Sequence, residues 1–382
     1  MKTIVPGETI GILGGGQLGR MMALAAQQMG YRVIGFTPEE DSPISQVCAK
    51  TTVAPFEDLD AIRLFAHEAK IVTVEFENIP AESYQEVSQI TRIAPSVQAL
   101  YIAQNRLREK TYLVDHGFPT VPFYHVDSAE ALEKAIEQIG VPAVLKTSGF
   151  GYDGKGQRFV DSAELAREAY KNSFHEVDCI YEKSVKFEKE ISVIAARGAY
   201  GEMRAFGPIE NQHKNHVLDI SSVPARVNWR LASEAIEMAC AIADSLDIVG
   251  LVCVEFFIVD HDRLLINEIA PRPHNSGHYT IEACPTSQFE QHIRAITGMP
   301  LGKTEPHSAA AMANLLGELW TGGVPEWSYT LEVPDLHLHL YGKKEARAGR
   351  KMGHLTACSR WTEEAQELVL KARDRLSAAR IG

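Results

Sequence analysis

Runs of apolar residues and their spacing divide the chain into alternating strands and helices. Residues 9–13 form a short unbroken apolar run that predicts a buried strand, 14–19 a glycine-rich turn, 20–29 a helix and 32–36 a second strand. A strand over 71–74 and a helix over 81–90 continue the alternation, which calls for a parallel sheet with helices on both faces. A helix predicted over 97–116 stops at Gly117, and Pro119 and Pro122 stiffen the connector that follows. Residues 1–118 are therefore expected to form a Rossmann-like unit.

A smaller unit is expected over 119–197, with a helix at 129–139 and strands at 143–146, 158–160, 180–183 and 190–196. From 198 to 382 the chain turns strand-rich, with a helix near 233–246, a hairpin over 252–269 and a closing helix over 363–379. The resulting fold class is α/β combined with α+β.

Composition narrows the chemistry. The 382 residues are 45% hydrophobic and 23% charged, ordinary for a globular chain, and 38 Lys+Arg against 50 Asp+Glu leave a formal charge of −12. Such a surface repels a phosphate backbone, so nucleic acid is not an expected partner, and any phosphorylated ligand needs a local cationic site. The six cysteines are scattered without zinc-like spacing and read as buried thiols. Residues 1–8 lack the pattern of a signal peptide, and the apolar stretch 248–259 contains Glu255 and is too short for a bilayer. A cytoplasmic protein without a membrane partner is expected.

Gly14-x-Gly16-x-x-Gly19 has the form of a dinucleotide fingerprint, in which bare amides at a helix start receive phosphate. The acidic residue wanted at the end of the next strand is missing, since that position reads Phe36-Thr37-Pro38. A tight turn that only allows close packing, or the backbone wall of another substrate site, are the other readings. Glu75 and Asn78 follow a predicted parallel strand, where they can bond a ligand or lie in a solvated loop. Four glycines within Gly149–Gly156, beside Lys146 and Lys155, suit a mobile lid whose backbone approaches phosphate, or a flexible hairpin turn.

The hairpin at 252–269 carries the sharpest signal. With its turn centred between His261 and Asp262, Val259 faces Leu264, Phe257 faces Ile266 and Glu255 faces Glu268. Facing residues have Cβ atoms roughly 5 Å apart, so like charges there are destabilising. A divalent cation shared with ligand phosphates resolves the conflict, and so does a shared proton. Arg272 and His274 follow in a loop rich in donors, and Lys343, Lys344, Arg347, Arg350 and Lys351 form a cationic cluster that reads as a phosphate clamp or a solvated hairpin.

In chain order, Gly14-Gly-Gly-Gln-Leu-Gly-Arg-Met21, Glu75-Phe-Glu-Asn78, Gly151-Tyr-Asp-Gly-Lys-Gly-Gln157, Asn267-Glu-Ile-Ala-Pro-Arg-Pro-His-Asn-Ser-Gly-His278 and Gly349-Arg-Lys-Met-Gly-His354 resemble the ATP-grasp ligases, most of all the carboxylating members of purine biosynthesis. The resemblance spans nearly the whole chain and implies a Rossmann-like N-terminal domain followed by a two-part ATP-grasp fold, a small lid domain and a larger C-terminal domain. It implies ATP held by Arg106, Lys146, the loop of Gly151, Tyr152, Asp153, Gly154, Lys155, Gly156 and Gln157, by Glu182, Lys183, Ser184 and Val185, and by Glu190 and His213. Asn267 and Glu268 complete that site, with Mg²⁺ on Glu255 and Glu268. Aminoimidazole ribonucleotide is expected against Gln17, Glu75, Asn78, Tyr152, Asp153, Arg272 and His274, its phosphate on Lys343 and Arg350, with the Lys343-Lys344 doublet leaving open which lysine grips it.

Lys146, Arg272 and His274 are the catalytic candidates. The implied reaction is ATP- and bicarbonate-dependent carboxylation of the exocyclic amine through carboxyphosphate, without biotin, in a homodimer. A formate-dependent transformylase of the same pathway and, from another class, an NAD-dependent oxidoreductase are the alternatives.

Overall fold

Three sheets organise the computed structural model, which describes residues 2–149 and 156–378. The first is parallel, built from β1 (Thr9–Leu13), β2 (Arg32–Thr37), β3 (Lys50–Val53), β4 (Ile71–Val74) and β5 (Arg92–Ala94) in the order β3-β2-β1-β4-β5. Helices α1 (Gln17–Gln28), α2 (Leu59–His67) and α3 (Ala81–Ile90) cover its two faces. Successive strands run outward from β1 on one side and from β4 on the other. The carboxyl ends of β1 and β4 therefore flank a topological switch point, where such sheets open a crevice.

The predicted helix over 97–116 is two helices, α4 (Val97–Ala103) and α5 (Arg106–Asp115). Asn105 breaks it: its backbone is extended, it bridges to Gly149, and its side chain accepts from Arg108 N at 3.0 Å to cap α5. The interruption leaves Arg106 at a helix start against the lid, where its N–H bonds the Ser148 carbonyl at 2.6 Å.

The lid sheet is antiparallel, with β6 (Phe123–Val126), β7 (Ala143–Thr147), β8 (Gln157–Val160) and β9 (Cys179–Lys183) in the order β6-β9-β7-β8. It packs on α6 (Ala129–Ile139) and α7 (Ala163–Ala169), started by Ser128 and Ser162 caps. The third sheet is antiparallel and holds eight strands: β10 (Lys189–Arg197), β11 (Met203–Lys214), β12 (Val217–Val223), β13 (Gly250–Val259), β14 (Arg263–Ala270), β15 (Ala309–Leu316), β16 (Leu336–Leu340) and β17 (Lys351–Ser359). Here β10 lies between β13 and β11, so the boundary expected at 197 divides the chain after the wrong strand. Ile191, Val193 and Ala195 face the core under α8 (Trp229–Ser245), while Ile194 and Ala196 face Tyr279 and Ala295, and a strand apolar on both faces belongs inside a large sheet. The remaining helices are α9 (Thr280–Ala283), α10 (Gln288–Thr297), α11 (Ser328–Leu331) and α12 (Thr362–Ala378). Phe289, Ile293 and Ile296 of α10 pack on Ile10, Ile12 and Met22, joining the parallel sheet to the large one.

The hairpin register departs from expectation near its turn and agrees at the glutamates. Val259 pairs with Arg263, Phe257 with Leu265 and Phe256 with Ile266, because Asp260 and His261 adopt left-handed conformations in a three-residue turn. A bulge at Asn267 then shifts the pairing by one residue and restores Glu255 opposite Glu268.

Candidate active site

A cavity of about 1450 Å³ opens where the three sheets meet. Gln17, Glu75 and Asn78 line it from the switch point, and Arg106, Lys146 and Gln157 from the hinge and lid. Glu182, Ser184, Val185, Glu190 and His213 line the side facing the large sheet, with Glu255, Asn267, Glu268, Arg272 and His274 across from them. Gly151, Tyr152, Asp153, Gly154 and Lys155 lie outside the described residues.

At the switch point, Glu75 Oε2 accepts from Gly16 N at 2.5 Å and Gly19 N at 3.1 Å. The carboxylate thus fills the helix start that a dinucleotide phosphate would need, and a Cβ on Gly16 would stand 1.9 Å from Glu75 Oε1. The glycines make room for an internal anion. Burial pushes the Glu75 carboxyl up to about 7 against those two amides, so Glu75 serves the fold as much as any ligand.

Charges on the lid side alternate. Lys146 Nζ donates to Glu182 Oε2 at 2.5 Å, and the buried Lys110 ammonium lies 3.9 Å from Glu182 Oε1. Burial raises the Glu182 carboxyl, but Lys110 and Lys146 more than offset this and hold it below the ordinary range. Lys183 also lines the cavity, with its ammonium engaged by the Ile139 carbonyl at 3.1 Å. His213 Nδ1 bonds the Glu190 carboxylate; burial opposes the charged ring, yet Glu190 raises its pKa.

On the hairpin, Glu255 is half-buried and Glu268 is exposed to the cavity. Burial first, then Glu268, pushes Glu255 up to about 7, against His213 and the Asn267 side chain, and His274 Nε2 lies 3.2 Å from Glu255 Oε1. The exposure of Glu268 to the cavity eases the repulsion expected of the facing pair without removing it. Among the described residues no group of three or more His, Cys, Asp or Glu is arranged for a metal. Two facing carboxylates suit a hard cation whose other ligands are phosphates and waters.

Two residues that sequence reasoning passed over hold this hairpin and its loop. Lys110 Nζ donates to the Ile266 and Asn267 carbonyls at 3.3 and 2.6 Å, fixing the bulge. Gln288 accepts from His274 N at 2.9 Å and donates to His274 O at 2.7 Å, clamping one residue at both backbone groups. Glu77 is a third: it pairs with Arg272 through Nε at 2.5 Å and Nη2 at 3.2 Å. Burial works against both charges, but each keeps the other ionised. Glu77 lay inside a quoted motif; for Lys110 and Gln288 no spacing signal existed.

The cationic cluster is divided. Lys344 is exposed and pairs with Asp41 at 2.9 Å, Arg347 pairs with Glu345, and Arg350 donates to the Glu345 carbonyl at 3.0 Å. Lys351 lines the cavity, whereas Lys343 and Arg350 are not among its lining residues. Burial, then Arg350, brings the Lys343 ammonium down to about 8, and Glu75 opposes that shift, so Lys343 faces the switch point.

Residues 7–104 match the ribonucleotide synthetase preATP-grasp domain, 111–289 the ATP-grasp domain and 310–368 the phosphoribosylaminoimidazole carboxylase C-terminal domain. The N5-carboxyaminoimidazole ribonucleotide synthase of Bacillus subtilis is 43% identical over 379 residues, which cover 98% of each chain. The structure aligns with an ADP complex of N5-carboxyaminoimidazole ribonucleotide synthetase at TM-score 0.93 and 43% identity over 100% of both chains. It aligns with the Aspergillus clavatus N5-carboxyaminoimidazole synthase in complex with ADP and 5-aminoimidazole ribonucleotide at TM-score 0.88 and 30% identity, over 97% of this chain and 99% of that one.

Proposed function

Given that the chain belongs to the N5-carboxyaminoimidazole ribonucleotide synthase family of ATP-grasp enzymes, we propose that it carboxylates the exocyclic amine of 5-aminoimidazole ribonucleotide, consuming ATP and bicarbonate and releasing ADP and phosphate. The observation that carries the reading is one cavity joining two kinds of wall. The Lys146–Glu182 pair and the facing glutamates form the first, and the switch point with the Arg272–His274 loop forms the second.

In this reading ATP lies along the first wall, with Arg106 and Lys146 on its phosphates and Ser184 to Val185 beside its base. Mg²⁺ held by Glu255 and Glu268 would neutralise phosphate charge during transfer. Bicarbonate oxygen attacks the γ-phosphorus, ADP leaves, and the resulting carboxyphosphate supplies CO₂ to the amine, which loses a proton as the N–C bond forms. Lys146 and Arg272 stabilise the charge that builds on the transferring group. The ribonucleotide lies on Gln17, Glu75 and Asn78, with Tyr152 and Asp153 from the lid, its phosphate toward Lys343 and Arg350. Closure of the lid sheet, β6 to β9 with α6 and α7, would keep carboxyphosphate from water.

A homodimer in the cytoplasm, without nucleic acid or biotin, completes the proposal; no described helix is long and apolar enough to cross a membrane. The test is ADP formation with and without the ribonucleotide, bicarbonate and formate. Dependence on ribonucleotide and bicarbonate together is expected, and dependence on formate instead would assign the transformylase reaction.

A further inference from the structure

A line of buried polar side chains runs beneath the donor loop across three neighbouring strands. Ser221 Oγ on β12 donates to Asn211 Oδ1 on β11 at 2.8 Å, and Asn211 Nδ2 donates to Ser192 Oγ on β10 at 2.8 Å. Ser192 Oγ lies 2.9 Å from Ser276 Oγ, which lies 2.8 Å from His274 Nδ1. All four relay residues are buried, Ser192, Asn211 and Ser221 on strands whose neighbouring core positions include Ile194, Phe206, Ile209, Leu218 and Val223, and Ser276 in the turn above them. Small apolar side chains would fill this space without needing partners, whereas a buried polar group left unpaired is costly.

The direction of the line is set at its loop end. Ser276 N–H donates to His274 Nδ1 at 3.3 Å, the bond by which the His274 side chain caps the 3₁₀ turn Asn275–Gly277. A main-chain N–H cannot reverse, so Nδ1 is an acceptor. The Ser276 hydroxyl then donates to Nδ1, Ser192 donates to Ser276, and the Asn211 amide donates to Ser192. The Cys253 thiol, also beside Ser276, is too weak a partner to reverse this order. A neutral imidazole that accepts at Nδ1 carries its proton on Nε2, the atom 3.2 Å from Glu255 Oε1.

We propose that Ser221, Asn211, Ser192 and Ser276 form a positioning relay that holds His274 in its Nε2–H tautomer, so that the loop offers the cavity a hydrogen-bond donor and not a base. The group such a donor meets on a substrate is an anionic oxygen, a carbonate or developing carboxylate, and not the N–H of the amine. This rests on the reading of His274 as part of the reaction site, whereas the tautomer itself does not.

The test uses full-length protein carrying ¹⁵N-labelled histidine, with the His274 ring resonances identified by their loss in His274→Asn. Expected are a pyrrole-like Nε2 and a pyridine-like Nδ1. Ser276→Ala and Ser192→Ala should each shift both toward a mixture of tautomers and lower product formed per ADP roughly tenfold, as outer partners of working imidazoles do, while leaving the KM for ATP in place. Ser276→Thr, which keeps the hydroxyl, should restore both readouts. Should Ser276→Ala not fold, Ser192→Ala, one link further from the ring, carries the same test. A pyridine-like Nε2 in the unaltered protein, or resonances unmoved in the Ala variants, overturns the relay. Full coupling in His274→Asn, with the tautomer as proposed in the unaltered protein, would instead remove His274 from the reaction and leave the relay standing.

Discussion

Glu255 stands directly opposite Glu268 on adjoining antiparallel strands, and Glu268 is the more exposed of the two to the cavity. The pair is tolerated because one carboxylate is exposed and the other is answered by His213 and Asn267, with His274 Nε2 3.2 Å from it. The arrangement leaves a proton affinity that a bound cation would replace.

That affinity makes the ligand-free protein sensitive to pH. Glu255 rises from 4.5 to about 7 on folding, so the folded state keeps a proton that the unfolded chain releases. The stability this confers is complete below about pH 4.5 and is lost as pH rises through 7. Glu255→Gln should therefore stabilise the ligand-free protein by on the order of 1–3 kcal/mol at pH 8 and by little at pH 5, while abolishing ATP-dependent turnover. Denaturant unfolding at the two pH values measures it, and equal effects at both would contradict the assignment.

Arg272 and Glu77 depend on each other. Arg272→Ala should destabilise the fold by roughly 3 kcal/mol, because it strands a carboxylate in a desolvated place, and Glu77→Gln in the same chain should recover much of the loss. ATP binding should survive in the double variant while ADP is released without carboxylated product. Thermal unfolding and paired product assays follow the two effects separately.

The doublet Lys343-Lys344 resolves by direction. Lys343→Ala should raise the KM for the ribonucleotide about 10- to 100-fold, the range of one lost charged hydrogen bond. Lys344→Ala, whose ammonium is taken by Asp41 on the surface, should change it less than about twofold. Steady-state kinetics at saturating ATP compares them.

Gln288 should behave as part of the site although it is wholly buried. Gln288→Leu removes both bonds to the His274 backbone, and kcat should fall by roughly 10- to 100-fold with the KM for ATP little altered. Gln288→Glu keeps an acceptor for His274 N but loses the donor to His274 O, so an intermediate loss is expected. A kcat unchanged in both variants would show that the loop holds its own shape.

Local sequence pattern determined the βαβ alternation, the apolar two-faced strands and the facing of Glu255 with Glu268, because each depends on periodicity within a few residues. Nothing so local could break the helix at Asn105, which is drawn out by its bridge to Gly149 just beyond β7, or place β10 between β13 and β11. The hairpin shows both sides: pattern paired the glutamates, while a bulge tied down by Lys110 from 157 residues away supplied the register that makes the pairing real. Glu75 at the start of α1 and Ser192 beneath Ser276 are contacts between segments far apart in the chain, and Gln288 reaches back 14 residues to His274. They arise only when the sheets pack, since burial is what obliges each polar group to find its partner.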